Sequence, residues 1–210
     1  GWDIKLIDMN VEKLKDKHLQ WADCAFISAM IVQAPSVQDV LERCKGLNCK
    51  VIAGGPLFTS GHEEYMYLVD HFVLGEAEHT LPRFIDDLKQ GKAAKVYRPD
   101  GWADLSASPV PRRDLINTKH YGAMNIQYSR GCPFDCEFCN ITSLFGRAPR
   151  TKTKGQIIAE LDGIHALKWK GCVFIVDDNF IGNRRKLKDE ILPAMKEWSE
   201  KKGRPFTFST

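Results

Sequence analysis

Short apolar runs alternate with helical patterns along the chain, and this alternation is the feature that most limits the folds open to it. Four runs in the first half are rich in β-branched residues and have the length of buried strands: DIKLID (3–8), AFISA (25–29), KVIAG (50–54) and HFVLG (71–75). Parallel strands need long crossover connections, which are usually helices. The pattern therefore predicts βαβ units and an open α/β sheet covered on both faces.

Two segments carry helical spacing, one between the second and third runs and one after the fourth. Ser36 is a suitable N-cap for the first, whose apolar face is predicted to comprise Val37, Val40, Leu41 and Cys44. The second is predicted over 78–91, with a stop at Gly91 and an apolar face of Leu81, Phe84, Ile85 and Leu88.

The rhythm breaks over residues 93–123, where three prolines and the lack of a sustained period indicate a connector. From residue 124 the alternation resumes as strand, helix, strand, helix and strand. Apolar spacing predicts inward faces for the two helices: Ile157, Leu161 and Ile164 in the first, and Leu187, Ile191, Met195 and Trp198 in the second. This order of strands and helices is typical of the opening of an α/β barrel or of another parallel sheet. We therefore expect a first domain at 1–92, a linker at 93–123 and a partial barrel at 124–210.

Bulk properties exclude several classes of protein. A net charge of +3 gives no reason to expect nucleic acid as a partner. The longest apolar stretch, at 25–34, is far shorter than the roughly 20 residues that span a bilayer. Seven mostly scattered cysteines and no secretory signal indicate a reducing cytoplasm rather than a disulfide framework. Both ends resemble interior strands, so we expect a fragment of a longer protein. We expect this fragment alone to be inactive or aggregation-prone, because its last sheet edge is exposed.

Three cysteines stand close together in SRGCPFDCEFCNIT (129–142), as Cys132, Cys136 and Cys139. Thiolates bind zinc and iron–sulfur clusters, but structural zinc needs four protein ligands and no fourth stands at a paired spacing. A [4Fe–4S] cube with three cysteine ligands leaves one iron open to a small chelating molecule. The trio also follows a predicted parallel strand, at the end where ligands of α/β sheets gather.

The C-x3-C-x2-C spacing, with Phe138 before the last cysteine, resembles the signature of the radical S-adenosylmethionine (SAM) superfamily. The resemblance implies that the three cysteines hold a [4Fe–4S] cluster and that SAM chelates the open iron, with Phe138 beside it. Reductive cleavage of SAM would then yield a 5′-deoxyadenosyl radical. A structural zinc site and an electron-transfer ferredoxin are the alternatives, and the order of strand, loop, helix and strand suits neither.

A second segment, VDDNFIGN (176–183), ends the next predicted strand. It resembles the form found in cobalamin-dependent members, in which this segment meets the SAM amino group. The resemblance implies SAM contacts from Asp177, Asp178 and Asn179. The alternative is a helix cap at the end of a strand.

Three strand ends of the first half, ISAM (27–30), VIAGGPLFTS (51–60) and LGEAEHTLP (74–82), resemble the cobalamin (B12)-binding domain of such enzymes. The implied fold is Rossmann-like (flavodoxin-like), with its crevice at the strand ends. The implied cobalamin contacts are Ser28, Gly54, Gly55, Gly75 and Glu76. Gly-Gly after a strand can also be only a tight turn, and the Asp-x-His-x-x-Gly motif that supplies a cobalt ligand in some cobalamin proteins is absent.

Across nearly its whole length the chain resembles the hopanoid C-2 methylase group and its uncharacterised neighbours. The resemblance implies a cytoplasmic enzyme that transfers methyl through cobalamin to an unactivated carbon of a small molecule or of a lipid such as a hopanoid. Its electron donor would be a flavodoxin or ferredoxin. A cobalamin-free radical SAM enzyme, such as a methylthiotransferase-like or ring-modifying one, and a non-catalytic metal-stabilised interaction module are the alternatives.

Overall fold

The computed structural model describes all 210 residues, and internal contacts divide them into two compact units. Residues 14–103 form one, which we call the four-stranded unit. Residues 1–13 join residues 104–210 in the other, the cysteine-loop unit. The domain boundaries at 92 and 123 rest on a change of pattern along the chain rather than on contacts, and they stay a prediction.

The four-stranded unit is a parallel α/β structure, as the alternation predicts. Its sheet has the order β1-β2-β3-β4, and each neighbouring pair is parallel. The register sets Ser28 opposite Gly54 and Gly54 opposite Val73, so the strands end along one edge. The elements are α1 (Asp16–Trp21), β1 (Cys24–Ser28), α2 (Ala34–Cys44), β2 (Lys50–Gly54), α3 (Pro56–Gly61), β3 (His71–Val73), α4 (Ala77–Lys89) and β4 (Val96–Tyr97), with 3-10 turns at Ile31–Gln33 and His62–Tyr65.

Both faces of this sheet are covered. Val51, Ala53 and Phe72 point into a core shared with α2 and α3, to which α2 contributes Val37, Val40, Leu41 and Cys44 as predicted. Ile52 and Val73 lie on the opposite face and pack against Phe84 of α4. Neighbouring residues of one strand therefore belong to different cores, which explains why β2 reads as a continuous apolar run.

Three local features differ from the sequence prediction. Residues 3–8 form no strand, because no neighbouring strand pairs with them and their side chains are mostly exposed. Helix α2 begins at Ala34 rather than after Ser36, since Pro35 suits the first helical turn. Strand β4 lies inside the region interpreted as a connector, where its two-residue pairing with β3 leaves too short a pattern to recognise.

The cysteine-loop unit is built on a parallel sheet of order β5-β8-β9, and the predicted succession of strands and helices is confirmed. A short antiparallel pair, β6 with β7, flanks the cysteines. The elements are β5 (Ala123–Ile126), β6 (Ser129–Arg130), α5 (Ile141–Phe145), β7 (Arg150–Thr151), α6 (Lys154–Ala166), β8 (Cys172–Ile175), α7 (Arg184–Lys186), α8 (Leu192–Lys201) and β9 (Thr207–Ser209). A π-helical turn, Leu187–Ile191, joins α7 to α8, and 3-10 turns lie at Leu105–Ala107, Arg113–Leu115 and Thr118–His120.

One hydrophobic core fills the space between this sheet and its helices. Its strand side is formed by Met124, Ile126, Val173 and Ile175. Its helix side comprises the residues predicted from spacing: Ile157, Leu161, Ile164, Leu187, Ile191, Met195 and Trp198. No helix in the chain is both long enough and apolar enough to cross a bilayer.

The start of α6 fixes part of the segment that precedes β5. Thr153 caps the helix, because its Oγ1 accepts from the backbone nitrogen of Gln156 at 3.2 Å. The side-chain amide nitrogen of Gln156 donates to the carbonyl oxygens of Leu105 and Ser108, at 2.8 and 2.9 Å. The 3-10 turn at 105–107 is thus tied to the helix behind the cysteine loop.

Candidate functional site

The chain leaves β5 and reaches Cys132 through a tightly packed root, residues 127–132. Gly131 has φ +92°, and a Cβ placed there would come within 2.7 Å of the Ala148 carbonyl oxygen. The backbone nitrogen of Cys132 donates to the carbonyl oxygen of Gly146 at 3.2 Å. Only glycine suits residue 131, since the left-handed backbone and the missing space both disfavour a side chain.

Asp177, just beyond β8, holds the other side of this root. Its Oδ1 accepts from the backbone nitrogen of Tyr128 at 2.7 Å. Its Oδ2 accepts from the backbone nitrogen and the hydroxyl of Ser129, at 2.8 and 2.6 Å. Burial raises the pKa of Asp177 from its ordinary value, while the hydrogen bonds from Ser129 and Tyr128 oppose the shift.

The next two residues also face the root of the cysteine loop. Asp178 accepts a hydrogen bond from the backbone of Gly131. The side-chain nitrogen of Asn179 donates to Sγ of Cys132 at 3.7 Å. All three polar residues of VDDN therefore contact residues 128–132. Ser129 is a further polar residue of this site, and nothing in its local sequence singles it out.

The three loop cysteines are free thiols of unequal exposure. Cys132 and Cys139 are half-buried and Cys136 is exposed. No group of three or more histidine, cysteine or acidic side chains stands close enough together to hold a metal ion. Three thiols on one loop suit a soft metal or an iron–sulfur cluster by their chemistry, so the donor set fits the expected group, and the ligand set itself stays a prediction.

The outer part of the loop presents aromatic surface and one ion pair. Phe138 is 93% exposed and Phe134 is 63% exposed. Asp135 pairs with Arg147 at 2.5 Å, which links the loop to the segment after α5. The expected SAM contact Phe138 thus lies at the surface, where a ligand bound to the loop could cover it.

Three of the remaining cysteines, all in the four-stranded unit, have thiols whose pKa values are raised. Burial raises the pKa of the Cys24 and Cys44 thiols, and it raises that of Cys49 to about 11. Thiols with raised pKa values carry little thiolate at neutral pH, and the thiolate is the form that binds metals. The scattered cysteines of the four-stranded unit are therefore poor competitors for iron.

In the four-stranded unit, the residues expected to bind cobalamin lie together at the carboxyl ends of the strands. Ser28 is exposed at the end of β1. A Cβ placed on Gly55 would lie 2.7 Å from the Ser28 hydroxyl, so these two residues are direct neighbours. The backbone nitrogen of Leu57 donates to the carbonyl oxygen of Ala29 at 3.0 Å and fixes the start of α3 beside this strand end.

Gly54 has a structural reason to be glycine that the sequence did not reveal. A Cβ on Gly54 would lie 2.6 Å from the carbonyl oxygen of Val73, the residue it faces on β3. The missing side chain therefore permits close approach of two strands. A bulky residue here would disturb the sheet before it reached any ligand.

Gly75 and Glu76 complete this edge beyond β3. The backbone nitrogen of Gly75 donates to Oγ1 of Thr59 at 3.0 Å, which joins the strand end to α3. The carboxylate of Glu76 is buried and accepts from the backbone nitrogen of Ala103 at 2.8 Å. Glu76 thus anchors the chain at this edge, and the exposed contact surface is supplied by its neighbours.

Apolar side chains continue the exposed surface next to Ser28. Met30 and Ile31 are more than half exposed, and Val32 is 85% exposed. In the sequence, Met30 belongs to the ISAM segment, whereas Ile31 and Val32 stand out only as the continuation of an apolar run. An exposed apolar surface beside glycine-lined backbone fits the broad, largely apolar face of a corrin, so the residues present suit the expected cofactor.

Comparison with known proteins gives relatives for both units. Residues 1–85 match the family model of the B12 binding domain. An uncharacterised methyltransferase of Synechocystis is 41% identical over 210 residues, which is 100% of this chain and 39% of the relative. The hopanoid C-2 methylase of Rhodopseudomonas palustris is 34% identical over 206 residues, covering 96% of this chain and 39% of that enzyme.

A solved structure with a similar fold is the radical SAM methyltransferase TsrM of Kitasatospora setae with tryptophan substrate and a SAM analogue bound. It superposes with a TM-score of 0.71 at 14% identity, over 90% of this chain and 43% of that protein. This likeness concerns the fold. The chain spans about 39% of the length of the curated relatives that it matches.

Proposed function

Because this chain carries a B12-binding domain and is homologous to the hopanoid C-2 methylase, we propose that the whole protein is a cobalamin-dependent radical SAM methyltransferase. The proposed reaction is methyl transfer to an unactivated carbon of a small molecule or a hopanoid-like lipid. A flavodoxin or ferredoxin is the proposed electron donor. The proposed compartment is the cytoplasm, in keeping with seven free thiols.

The observation that carries this proposal is the position of the cysteine loop. The three thiols follow β5 and the two-residue strand β6, and the polar residues that follow the neighbouring β8 contact the root of the same loop. Ligand sites of parallel α/β sheets form where the carboxyl ends of adjacent strands meet. A metal-binding loop and a polar strand end are therefore available at the edge where SAM and a cluster would be placed.

Each group of residues has a distinct proposed task. Cys132, Cys136 and Cys139 hold a [4Fe–4S] cluster, and Phe138, Asp178 and Asn179 contact SAM. When bound, the cluster supplies one electron for cleavage of SAM and the cobalamin carries the methyl group. Gly131 lets the backbone pass close to the loop after α5, so that the root of the cysteine loop has a defined path.

In the four-stranded unit, Ser28, Gly54, Gly55, Gly75 and Glu76 form the proposed cobalamin edge. Ser28 offers an exposed hydroxyl, and the glycines have no side chain that would cover the backbone. Glu76 acts by holding the segment at Ala103 in place. The match of residues 1–85 to the B12 binding domain favours this reaction over that of a cobalamin-free radical SAM enzyme.

The test uses the full-length protein, reconstituted anaerobically with iron, sulfide and hydroxocobalamin. We expect a brown protein with about four irons per chain that retains cobalamin through gel filtration and cleaves SAM when reduced. Zinc in place of iron, or no SAM cleavage by protein with a full cluster, would contradict the radical reaction. SAM cleavage without retained cobalamin would instead support the cobalamin-free alternative.

A further inference from the structure

Residues 176–179 lie alongside residues 126–132 and contact them in order. The backbone nitrogen of Val176 donates to the carbonyl oxygen of Ile126 at 2.9 Å, which extends the pairing of β8 with β5. Beyond this point the two segments no longer pair with each other through the backbone, because residues 129–130 pair with β7 instead. Side chains of residues 177–179 make the contacts from here on. Asp177 binds residues 128 and 129, Asp178 binds Gly131, and Asn179 contacts Cys132.

Both carboxylate oxygens of Asp177 accept hydrogen bonds in this arrangement. Its two oxygens accept three hydrogen bonds, all between 2.6 and 2.8 Å, from donors on Tyr128 and Ser129. Ser129 is 2% exposed and Tyr128 is 1% exposed. Removal of the carboxylate would leave buried backbone donors without partners, which is more costly than loss of an exposed hydrogen bond. A carboxylate has about four acceptor positions, so a contact with the SAM amino group would have only the one that remains on Oδ1.

The root is also held from the opposite side. The backbone of residues 145–148 lies so close to Gly131 that a Cβ there would meet three carbonyl oxygens within 3.1 Å. The root therefore lies between residues 145–148 on one side and the carboxylate of Asp177 on the other. Cys136 and Cys139, by contrast, belong to the outer part of the loop, where the backbone nitrogen of Cys139 bonds only back to Cys136, at 3.0 Å.

The geometry points to Asp177 as a positioning residue for Cys132, in place of the SAM contact that the sequence suggests. It sets the direction in which the chain leaves β5 and so positions Cys132, the first of the three thiols. This role rests on the proposed function, since it takes Cys132 to be a cluster ligand. Its effect reaches the cluster only through Tyr128 and Ser129.

The test compares Asp177→Ala and Asp177→Asn with Asp189→Asn in the full-length protein. Asp189 is an exposed aspartate outside the site, paired loosely with Arg185 at 3.9 Å. The first measurement is the rate of iodoacetamide alkylation of Cys132 relative to Cys136 in the apoprotein, read by peptide mass spectrometry. We expect Asp177→Ala to raise this ratio several-fold and Asp189→Asn to leave it unchanged. Asp177→Asn, which keeps one acceptor oxygen, should fall between.

The second measurement separates positioning from SAM binding. We expect Asp177→Ala to lower the iron content per chain, while the SAM dissociation constant of the remaining cluster-loaded protein stays as in the wild type. An unchanged alkylation ratio and iron content, with SAM affinity reduced about tenfold or more, would overturn the proposal and make Asp177 a SAM ligand.

A milder variant covers the case in which Asp177→Ala does not fold. Ser129→Ala removes only the hydroxyl bond at 2.6 Å and keeps both backbone bonds to Asp177. We expect it to raise the alkylation ratio by less than Asp177→Ala but in the same direction, and an unchanged ratio in both Ser129→Ala and Asp177→Asn would count against the proposal. Because alkylation is measured on apoprotein, it tests positioning even if the wild-type protein binds no cluster and the proposed function fails.

Discussion

Lys152 and Glu160 form an ion pair at 2.5 Å in which both side chains are almost wholly buried. The second carboxylate oxygen of Glu160 pairs with Arg113 at 2.7 Å, and Arg113 also donates to the carbonyl oxygen of Asn125 in β5. One glutamate thus pairs with two buried cations. It joins α6 to Arg113, which precedes β5, and to Lys152, which follows the cysteine loop.

The first prediction follows from this pairing. Glu160→Gln keeps the size of the side chain but leaves Lys152 and Arg113 as uncompensated buried charges, so we expect it to lower the free energy of unfolding by about 3–5 kcal/mol. Urea denaturation of the full-length protein measures the loss. Glu197→Gln is the matched control, because Glu197 pairs with Lys201 on an exposed helix face. Equal stability of the two variants would contradict the structural role of Glu160.

The second prediction concerns Gly54. Gly54→Ala would place a Cβ 2.6 Å from the Val73 carbonyl oxygen, so β2 and β3 must separate locally. We expect a loss of about 1–3 kcal/mol in the free energy of unfolding, the usual range for overpacking. Gly61→Ala serves as control, since nothing lies within 4 Å of a Cβ at that position. A Gly54→Ala variant as stable as Gly61→Ala would show that the strands are less closely packed than described.

The third prediction concerns the cluster. Replacement of Cys132, Cys136 or Cys139 by alanine should abolish binding of about four irons per chain and with it SAM cleavage, because each removes one of three thiolate ligands. Cys24→Ala should leave both unchanged, since burial raises the pKa of that thiol and it lies on β1. Iron analysis and 5′-deoxyadenosine formation are the measurements. A triple-alanine variant that still assembled the cluster would refute the ligand assignment.

The fourth prediction concerns cobalamin. Ser28→Tyr adds a large ring at an exposed strand end without entering the core, so we expect it to prevent retention of hydroxocobalamin while iron content stays unchanged. Asn48→Tyr is the control, because Asn48 is exposed just before β2, at the opposite end of that strand. Visible absorption after gel filtration measures retention. Equal retention by the two variants would move the cobalamin site away from Ser28.

The sequence predicts those elements whose pattern is complete within a few residues. The strand at 50–54 was predicted with its observed bounds, and the buried face of the helix containing Leu161 was predicted from spacing. The run at 3–8 has the composition of a strand, yet it has no partner to pair with. Pairing depends on residues distant in the chain, and this is why β4, which has only two residues, was missed.

In the candidate site, too, local features can be predicted from the sequence and contacts between distant residues cannot. The spacing of the cysteines is local and visible, whereas the bond from Ser129 to Asp177 joins residues 48 positions apart. An aspartate at a strand end has similar sequence surroundings whether it binds a ligand or its own backbone. Only the positions of Tyr128 and Ser129 distinguish these roles. In the same way, Gly54 reads as a ligand-facing glycine until the place of Val73 is known.

The exposure of Phe138 and Phe134 has a thermodynamic consequence. Water in contact with aromatic rings has a higher heat capacity than bulk water, and this excess is lost when the rings are covered. A ligand or protein segment that closes over the cysteine loop should therefore bind with a negative change in heat capacity. In calorimetry the binding enthalpy would become more favourable as the temperature rises, with a slope that decreases in magnitude when Phe138 is replaced by alanine.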